Sequence, residues 1–476
     1  MKLIHDDYDD KRKKLVASIK MKLENGTKFS MCVDEYTSTR GRRFFGVNLH
    51  SSDDTIKTGL RRIYGSCSAL DMVKAMEEHL ADFGIIMDRD IVGSTQDGAA
   101  VNKKYIRHKY VIGQFCLNHA LHLAVCDTLY KKETEEKNKN PIFDGCETDD
   151  IDCFGDGFDV EVESKYAVEE VVYHLLLEKS RQLVRFIKKS TVRNNVYLNK
   201  VKQEFGHEIE LHLDVKTRWN SLITMIQPLL KTENAIRETL QEFNALQMIE
   251  AIDFSALKIL VKAMEPVKLA VENLSREDAT LVSAERILQF MFTKLSDLNS
   301  DISNQLITNL KIRVNERMNK DVMKLLQSLK DCSVPPSKTT LVFAENLATR
   351  LFGISTISDE NEEVQQIVNI DKNLNLSLQD ELNILLQEDE LPLQFGRSDL
   401  NKWLKSEFTL FKNTGQRPEN LQKLLNAILS IKPTSIDVER VFSVCGSFCT
   451  KIRSRLSDKS IQALVFLKYY YKKLNS

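Results

Sequence analysis

Strand-like alternation in this chain is concentrated in its first 115 residues, and from about residue 167 onward the apolar spacing is overwhelmingly helical. That asymmetry limits the folds available: a small sheet has to be covered by helices drawn mostly from later in the chain. Phe29-Ser30-Met31-Cys32-Val33-Asp34 alternates apolar with small or polar residues, as a half-buried strand does. Thr39 to Arg43 is a polar, glycine-containing turn, and Phe44 to Leu49 reads as the returning strand. Ile56 to Tyr64 predicts a third strand. Asp90 to Ser94 predicts a short strand ending near Asp97, and Tyr110 to Phe115 predicts another. Helices are expected over residues 11–25, stopped by Asn25-Gly26, over Leu70 to Phe83, and over about 118–130. The expected class is therefore α/β plus all-α.

In the later region, Val171, Leu175, Leu176, Leu183, Phe186 and Ile187 predict one apolar helical face. Residues 225–430 hold few strand-like runs, and Pro266, Pro335-Pro336 and Pro392 are expected to divide them into helical blocks. Between the two regimes, residues 133–170 carry fourteen acidic residues against three lysines, with Pro141, Gly145, Gly155 and Gly157 interspersed. This composition predicts a solvated acidic loop. Residues 355–392 are also polar and acidic. The expected partition is a helix over 1–25, a core with that loop over 26–224, a helical insertion over 225–430, and a core return with a C-terminal segment over 431–476.

At 476 residues and 42% hydrophobic content the chain can bury a large core in more than one subdomain. A net charge of −1 announces no whole-chain affinity for nucleic acid, so any such surface must be local. The most basic stretch is the tail, with Lys451, Arg453, Arg455, Lys459, Lys468, Lys472 and Lys473 against Asp458. It reads equally as a solvated helix face or as a phosphate-contacting one. Nine cysteines without a regular framework, and no signal-like N-terminus, fit a reducing compartment. No run approaches the roughly 18 apolar residues of a membrane span.

Three separated motifs carry the chemistry. Ser435-Ile436-Asp437-Val438-Glu439-Arg440-Val441-Phe442-Ser443 is followed by Arg453-Ser454-Arg455-Leu456-Ser457 and Ala463-Leu464-Val465-Phe466-Leu467. Upstream, Asp34 sits in Phe29 to Ser38, and Asp97 in Ser94-Thr95-Gln96-Asp97-Gly98-Ala99-Ala100-Val101-Asn102. The C-terminal stretch resembles the signature of the hAT (hobo/Ac/Tam3) transposases, in which the glutamate of an S-x-E-R-x-F-S run is catalytic and the remainder belongs to a dimerisation region. The order and context of Asp34, Asp97 and Glu439 resemble the family's Asp-Asp-Glu set. Phe115-Cys116-Leu117-Asn118-His119 resembles its C-x-x-H motif, and Lys216-Thr217-Arg218-Trp219-Asn220 its R-W motif.

The resemblance implies an RNase H-like core interrupted by a helical domain, with Asp34, Asp97 and Glu439 meeting at one site. Asp34 is expected on a central strand and Glu439 on a helix returning to the core. Phosphodiester cleavage and strand transfer need an activated nucleophile and a stabilised leaving oxygen. Two Mg²⁺ (or Mn²⁺) ions about 3.5–4 Å apart do both when hard carboxylates hold them. Cys116, His119, Arg218 and Trp219 are implied as substrate-positioning residues. His119 reads either as a phosphate-positioning group or as a buried structural histidine. Cys116 and His119 would supply only two of the four ligands that a structural zinc wants, and no second pair is evident. Trp219 reads either as a face on which a flipped base stacks, worth roughly 1–3 kcal/mol, or as an anchor of the helical domain.

The implied partners are DNA and a second copy of the chain, with no membrane, in the nucleus. Asp10-Lys11-Arg12-Lys13-Lys14 fits either a nuclear signal or a basic cluster opening a helix. Self-association is expected from two apolar stripes: Val438, Val441, Phe442, Cys445 and Phe448, then Ile461, Leu464, Val465 and Tyr469. Many hAT transposases also carry a BED-type zinc finger. No C-x-x-C followed by H-x₃₋₅-H precedes Asp34, so a truncated or domesticated copy is the corresponding expectation. Two functions remain open, a metal-dependent DNA-cleaving and joining enzyme and a non-catalytic nuclear protein that binds DNA or a partner and dimerises.

Overall fold

The computed structural model describes residues 2–38, 41–64, 68–98, 112–129, 172–214, 219–352, 397–449 and 456–475. The acidic segment 133–170, the stretch 355–392, Arg218 and the basic residues Lys451, Arg453 and Arg455 lie outside the described residues. The first part of the chain runs α1 (Lys2–Glu24), β1 (Phe29–Thr37), β2 (Arg43–His50), β3 (Thr55–Ile63), α2 (Ala69–Ala81), α3 (Met87–Asp90), β4 (Ile91–Gln96), β5 (Ile112–Phe115) and α4 (Leu117–Leu129).

Helices follow throughout. They are α5 (Val172–Lys188), α6 (Thr191–Phe205), α7 (Trp219–Lys231), α8 (Glu233–Glu242), α9 (Gln247–Glu250), α10 (Phe254–Leu274), α11 (Leu281–Leu298), α12 (Asp301–Arg317), α13 (Lys320–Lys330) and α14 (Lys338–Phe352). The last four are α15 (Arg397–Thr414), α16 (Glu419–Ser430), α17 (Ile436–Phe448) and α18 (Asp458–Leu474).

The five strands form one sheet in the order β3-β2-β1-β4-β5, with β1 in the middle. β2 runs antiparallel to both β1 and β3, while β4 runs parallel to β1 and β5 parallel to β4. Alternation sorts each strand onto two faces. Phe29, Met31 and Val33 of β1 and Phe45, Val47 and Leu49 of β2 share a cluster with Ile19 of α1 and Met76 and Leu80 of α2. Their neighbours Cys32, Tyr36 and Phe44 face the other way, against Val438, Val441, Phe442 and Cys445 of α17 and Ile461 and Val465 of α18. An irregularity between β2 and β3 shifts the register after Gly46↔Leu60 to Asn48↔Lys57. Gly59 takes a left-handed φ of 96° there, a bulge that lets Ile56 and Leu60 serve opposite faces.

Two helical clusters complete the molecule. One joins α4 to the helices between residues 173 and 318, with Leu121, Tyr197, Leu222, Leu260 and Leu306 fully buried. The other gathers α13 to α16 around Leu326, Leu404 and Leu424 and reaches Val92 of β4.

Several details depart from the sequence reading. Pro266 does not end a helix; it lies inside α10. Leu257, Leu260 and Met264 before it and Val267, Ala270 and Leu274 after it are all buried. Burial worth roughly 1.5–3 kcal/mol per large side chain outweighs a proline's cost of about 3 kcal/mol. Leu70 and Leu175 point to solvent at 65% and 62% exposure, and Leu177 takes a buried place instead. The basic run from Lys11 lies within α1 rather than at its start. Lys11 pairs with Asp7, Lys14 with Asp10, and Arg12 with Asp82. Most of the apolar stripes of α17 and α18 pack within the chain against the sheet, with Phe448 and Tyr469 only partly buried there and Leu464 outside that cluster.

Candidate functional site

Asp34 lies on β1, half-buried, on the face that α17 covers. Its facing follows from its neighbours two residues away. Cys32 Sγ donates to the Thr434 carbonyl at 3.5 Å, and the Tyr36 ring stacks on Phe442 at 5.4 Å between centroids. The Asp34 Oδ1 accepts the Glu35 amide at 2.8 Å. Asp97 lies one residue past β4. The parallel pairing of β1 with β4 runs from Phe29↔Ile91 to Cys32↔Thr95. Continued by two residues beyond its last pair, that register would set Asp34 opposite Asp97, across the spacing of about 4.8 Å that separates paired strands.

Glu439 arrives from the far end of the chain, in the first turn of α17. α17 can approach closely because β2 offers a glycine. A Cβ on Gly46 would stand 2.7 Å from Val438 Cγ1 and 3.2 Å from Phe442. Gly46 is the register partner of Asp34, so the residue next to Val438 is delivered to the same end of the sheet. Gly93 does the same for β4, where a Cβ would meet Ile431 at 2.7 Å.

The segment leading into α17 is stitched down by side chains of the sheet. Ser30 Oγ donates to the Ser430 carbonyl, and Thr95 Oγ1 to the Lys432 carbonyl at 2.6 Å. Cys116 acts here as well. Its Sγ accepts the Ser435 amide at 3.5 Å, and the next amide, of Leu117, donates to the Pro433 carbonyl at 3.0 Å. Burial pushes the Cys116 thiol up, with the Glu439 charge adding to the effect. The cysteine of the C-x-x-H motif thus positions the helix that carries the glutamate.

His119 follows in the first turn of α4, half-buried. Burial drives its pKa down to about 3, with the charges of Arg317, His122 and Arg313 adding. It is neutral at ordinary pH and can donate or accept a hydrogen bond, but it brings no positive charge. Trp219 opens α7. The chain just before that helix is tethered at Asp214, whose two carboxylate oxygens receive Arg181 Nε at 2.8 Å and Nη2 at 2.6 Å. Both side chains of that pair are 1% exposed. Sequence reasoning missed Arg181 and Asp214, because a single Arg in α5 and a single Asp 33 residues later form no local pattern.

Among the described residues, no group of three or more His, Cys, Asp or Glu side chains is gathered closely enough to hold a metal ion as they stand. Among the described residues no helix is long and apolar enough to cross a membrane.

Residues 167–263 match the family model of the ZBED1 RNase-like helical domain. Residues 381–471 match the hAT family C-terminal dimerisation region. Both matches are to models of hAT-type proteins, and together they support an hAT-family, transposase-derived protein. The first match runs from the helices around Arg181 into α10, and the second from α15 through α17 to α18. The hAT character therefore attaches both to the helical layer and to the segment that closes the sheet. A curated protein of Talaromyces stipitatus named as a transcriptional regulator, tpeD, is 22% identical over 306 residues. That alignment covers 60% of this hAT chain and 34% of the relative, so the chain spans about a third of that protein's length.

Proposed function

We propose that this hAT-type chain is a DNA transposase core: an RNase H-like sheet with an inserted helical domain, cutting and joining DNA strands in the nucleus as a self-associated protein. The strand order with β2 alone reversed supports the RNase H-like reading. One observation carries the catalytic part. The β1–β4 register, if continued past its last pair, would set Asp34 beside Asp97, and the packing of Val438 at Gly46, the partner of Asp34, supports an approach of Glu439 from some 400 residues away.

The donor chemistry of Asp34, Asp97 and Glu439 fits Mg²⁺ or Mn²⁺, since all three offer hard oxygens. A bound metal pair would activate the attacking oxygen and stabilise the leaving one. The chain's own part is positional. Neutral His119 offers a hydrogen bond, Cys116 holds the segment that leads to Glu439, and Arg218 and Trp219 are the residues proposed to meet phosphate and base. The match to the dimerisation region supports self-association.

The second reading, a domesticated nuclear protein that binds DNA without cutting it, draws on the uncollected ligand set and on a relative named as a transcriptional regulator. Nicking of supercoiled plasmid separates the two. Wild-type protein with Mg²⁺ or Mn²⁺ is expected to nick, and Asp97→Asn to lose roughly tenfold to hundredfold or more of the rate. Plasmid that is bound but never nicked by either protein supports the second reading and refutes the first.

A further inference from the structure

Arg317 ends α12, where the helical layer meets β5. Its backbone is fixed from β5. Gln114 Nε2 donates to the Arg317 carbonyl at 3.1 Å, and Gln114 Oε1 accepts the Asn319 amide at 3.2 Å. Asn319 Nδ2 donates to the Gly113 carbonyl at 2.9 Å. One turn back in α12, Arg313 pairs with Asp127 of α4 at 2.7 Å.

The guanidinium lies flat over the residue that follows Asp97. A Cβ on Gly98 would stand 2.7 Å from Nη2, 2.8 Å from Nη1 and 2.9 Å from Cζ. A side chain there would have to push the guanidinium aside. Burial disfavours the charge of Arg317 and pulls its pKa down, while Asp97 and Glu316 lie near enough to oppose that electrostatically. Yet no carboxylate among the described residues makes an ion pair with it, and its Nη1 is buried with no hydrogen-bond partner.

A guanidinium keeps its charge under all ordinary conditions, and burying it unpaired is costly. The negative end of α12 offsets part of that cost. The rest is compensated if an anion with hydrogen-bonding oxygens enters the site. His119, near enough to feel Arg317, is neutral, so Arg317 and the already paired Arg313 are the cations around it.

We infer that Arg317 binds a non-bridging oxygen of a DNA phosphate beside Asp97, and that Gly98 exists to let the guanidinium reach it. This rests on the DNA-cleaving reading of the same site. A planar fork suits a phosphate that must be held in one orientation, which a lysine at the same place would not do.

The test uses the full chain and a fluorescein-labelled DNA duplex, with dissociation constants measured from about 50 to 200 mM KCl. Arg317→Gln is expected to weaken binding roughly tenfold to hundredfold at the low-salt end and to make the log–log salt slope shallower by about one. Arg317→Lys should keep the slope and lose part of the affinity. Gly98→Ala pushes on the far end of a flexible side chain, so it should melt like wild type and still bind more weakly. If the glutamine variant fails to fold, the lysine and Gly98 variants carry the test.

Arg317→Gln, or both of the other variants, binding with wild-type affinity and slope would overturn the assignment of Arg317 alone. Wild-type protein that binds no DNA at any salt would overturn the DNA reading, and the phosphate site with it.

Discussion

One face of the sheet is covered by its sequence neighbours, while the other is covered by residues about 400 positions away. On the first face, α1 and α2 lie within 60 residues of the strands they cover and bury Ile19, Met76 and Leu80 against Phe45 and Val47. On the second, α17 and α18 bring Val438, Phe442, Ile461 and Val465 onto Cys32, Phe44 and Leu60. The first face is ordinary apolar packing. The second carries Asp34, the glycine that admits α17, and the hydrogen bonds from Ser30, Cys32 and Thr95 that hold the incoming segment. Stability can be had from either face, but placing the glutamate depends on the second. Non-local cover of this kind also pays more loop-closure entropy before its contacts form, so the second face is expected to assemble last.

The largest effect should come from removing that cover. A chain ending at residue 449 loses Ile461, Val465 and Phe466, all buried, and exposes one side of β2 and β3. It is expected to lose cooperative unfolding by circular dichroism, not merely to become a monomer. A truncated protein that melts like wild type while losing only its self-association would show that α18 serves the dimer and not the sheet.

Next comes a matched pair on adjacent residues of β2. Phe45 faces α2 and Gly46 faces α17. Phe45→Ala should cost about 3–5 kcal/mol through the cavity it leaves. Gly46→Ala should cost about 1–3 kcal/mol, since its Cβ overpacks Val438. In urea melts the first change is the larger. In plasmid nicking the order should reverse, because only Gly46→Ala displaces the helix that carries Glu439. Equal losses of nicking in the two variants would mean that the faces do not divide stability from placement.

Much of the first face was legible and little of the second. The alternation from Phe29 to Asp34 and from Phe44 to Leu49 anticipated β1 and β2 closely, and helical spacing anticipated α2. Those signals are local, so a short window contains them. The stripes on α17 and α18 were also visible, but periodicity says only that a face is buried, never against what. They read as a dimer seam; within one chain most of their residues pack against the sheet, while the match to a dimerisation region attaches self-association to the same segment. Gly46, Gly93 and Gly98 carried no signal at all, because each is small for the sake of a partner more than 200 residues away. Pro266 misled for the opposite reason: the local rule was clear, and burial on both sides of it prevailed. At the candidate site, the acids were found through a family resemblance, whereas Arg317 and the Arg181–Asp214 pair lie outside every motif.

The smallest expected effect is a pH dependence, and the first face supplies a clean reporter. His79 of α2 is buried against the rings of Phe45 and Phe83, and its Nε2 lies 2.8 Å from Thr58 Oγ1. Burial, then the Arg61 and Arg12 charges, hold its pKa down at about 3 against an ordinary 6.5. In the unfolded chain the imidazole regains the ordinary value. Between pH 6.5 and 3 the unfolded state therefore binds the extra proton. The stabilisation is fully present above pH 6.5 and is lost as pH falls through that window. The slope from one such histidine is at most about 1.4 kcal/mol per pH unit.

His50, on the second face, and His119, at the site, are pushed in the same direction by burial, so the wild-type slope sums over several groups. His79→Gln keeps a polar group near Thr58 and removes one titration. Urea midpoints from pH 7 to 4.5 should fall less steeply for the variant than for wild type, with the curves converging as pH drops. An unchanged slope would mean that His79 is reached by water and proton in the folded protein, and that the first face is more loosely closed than its packing implies.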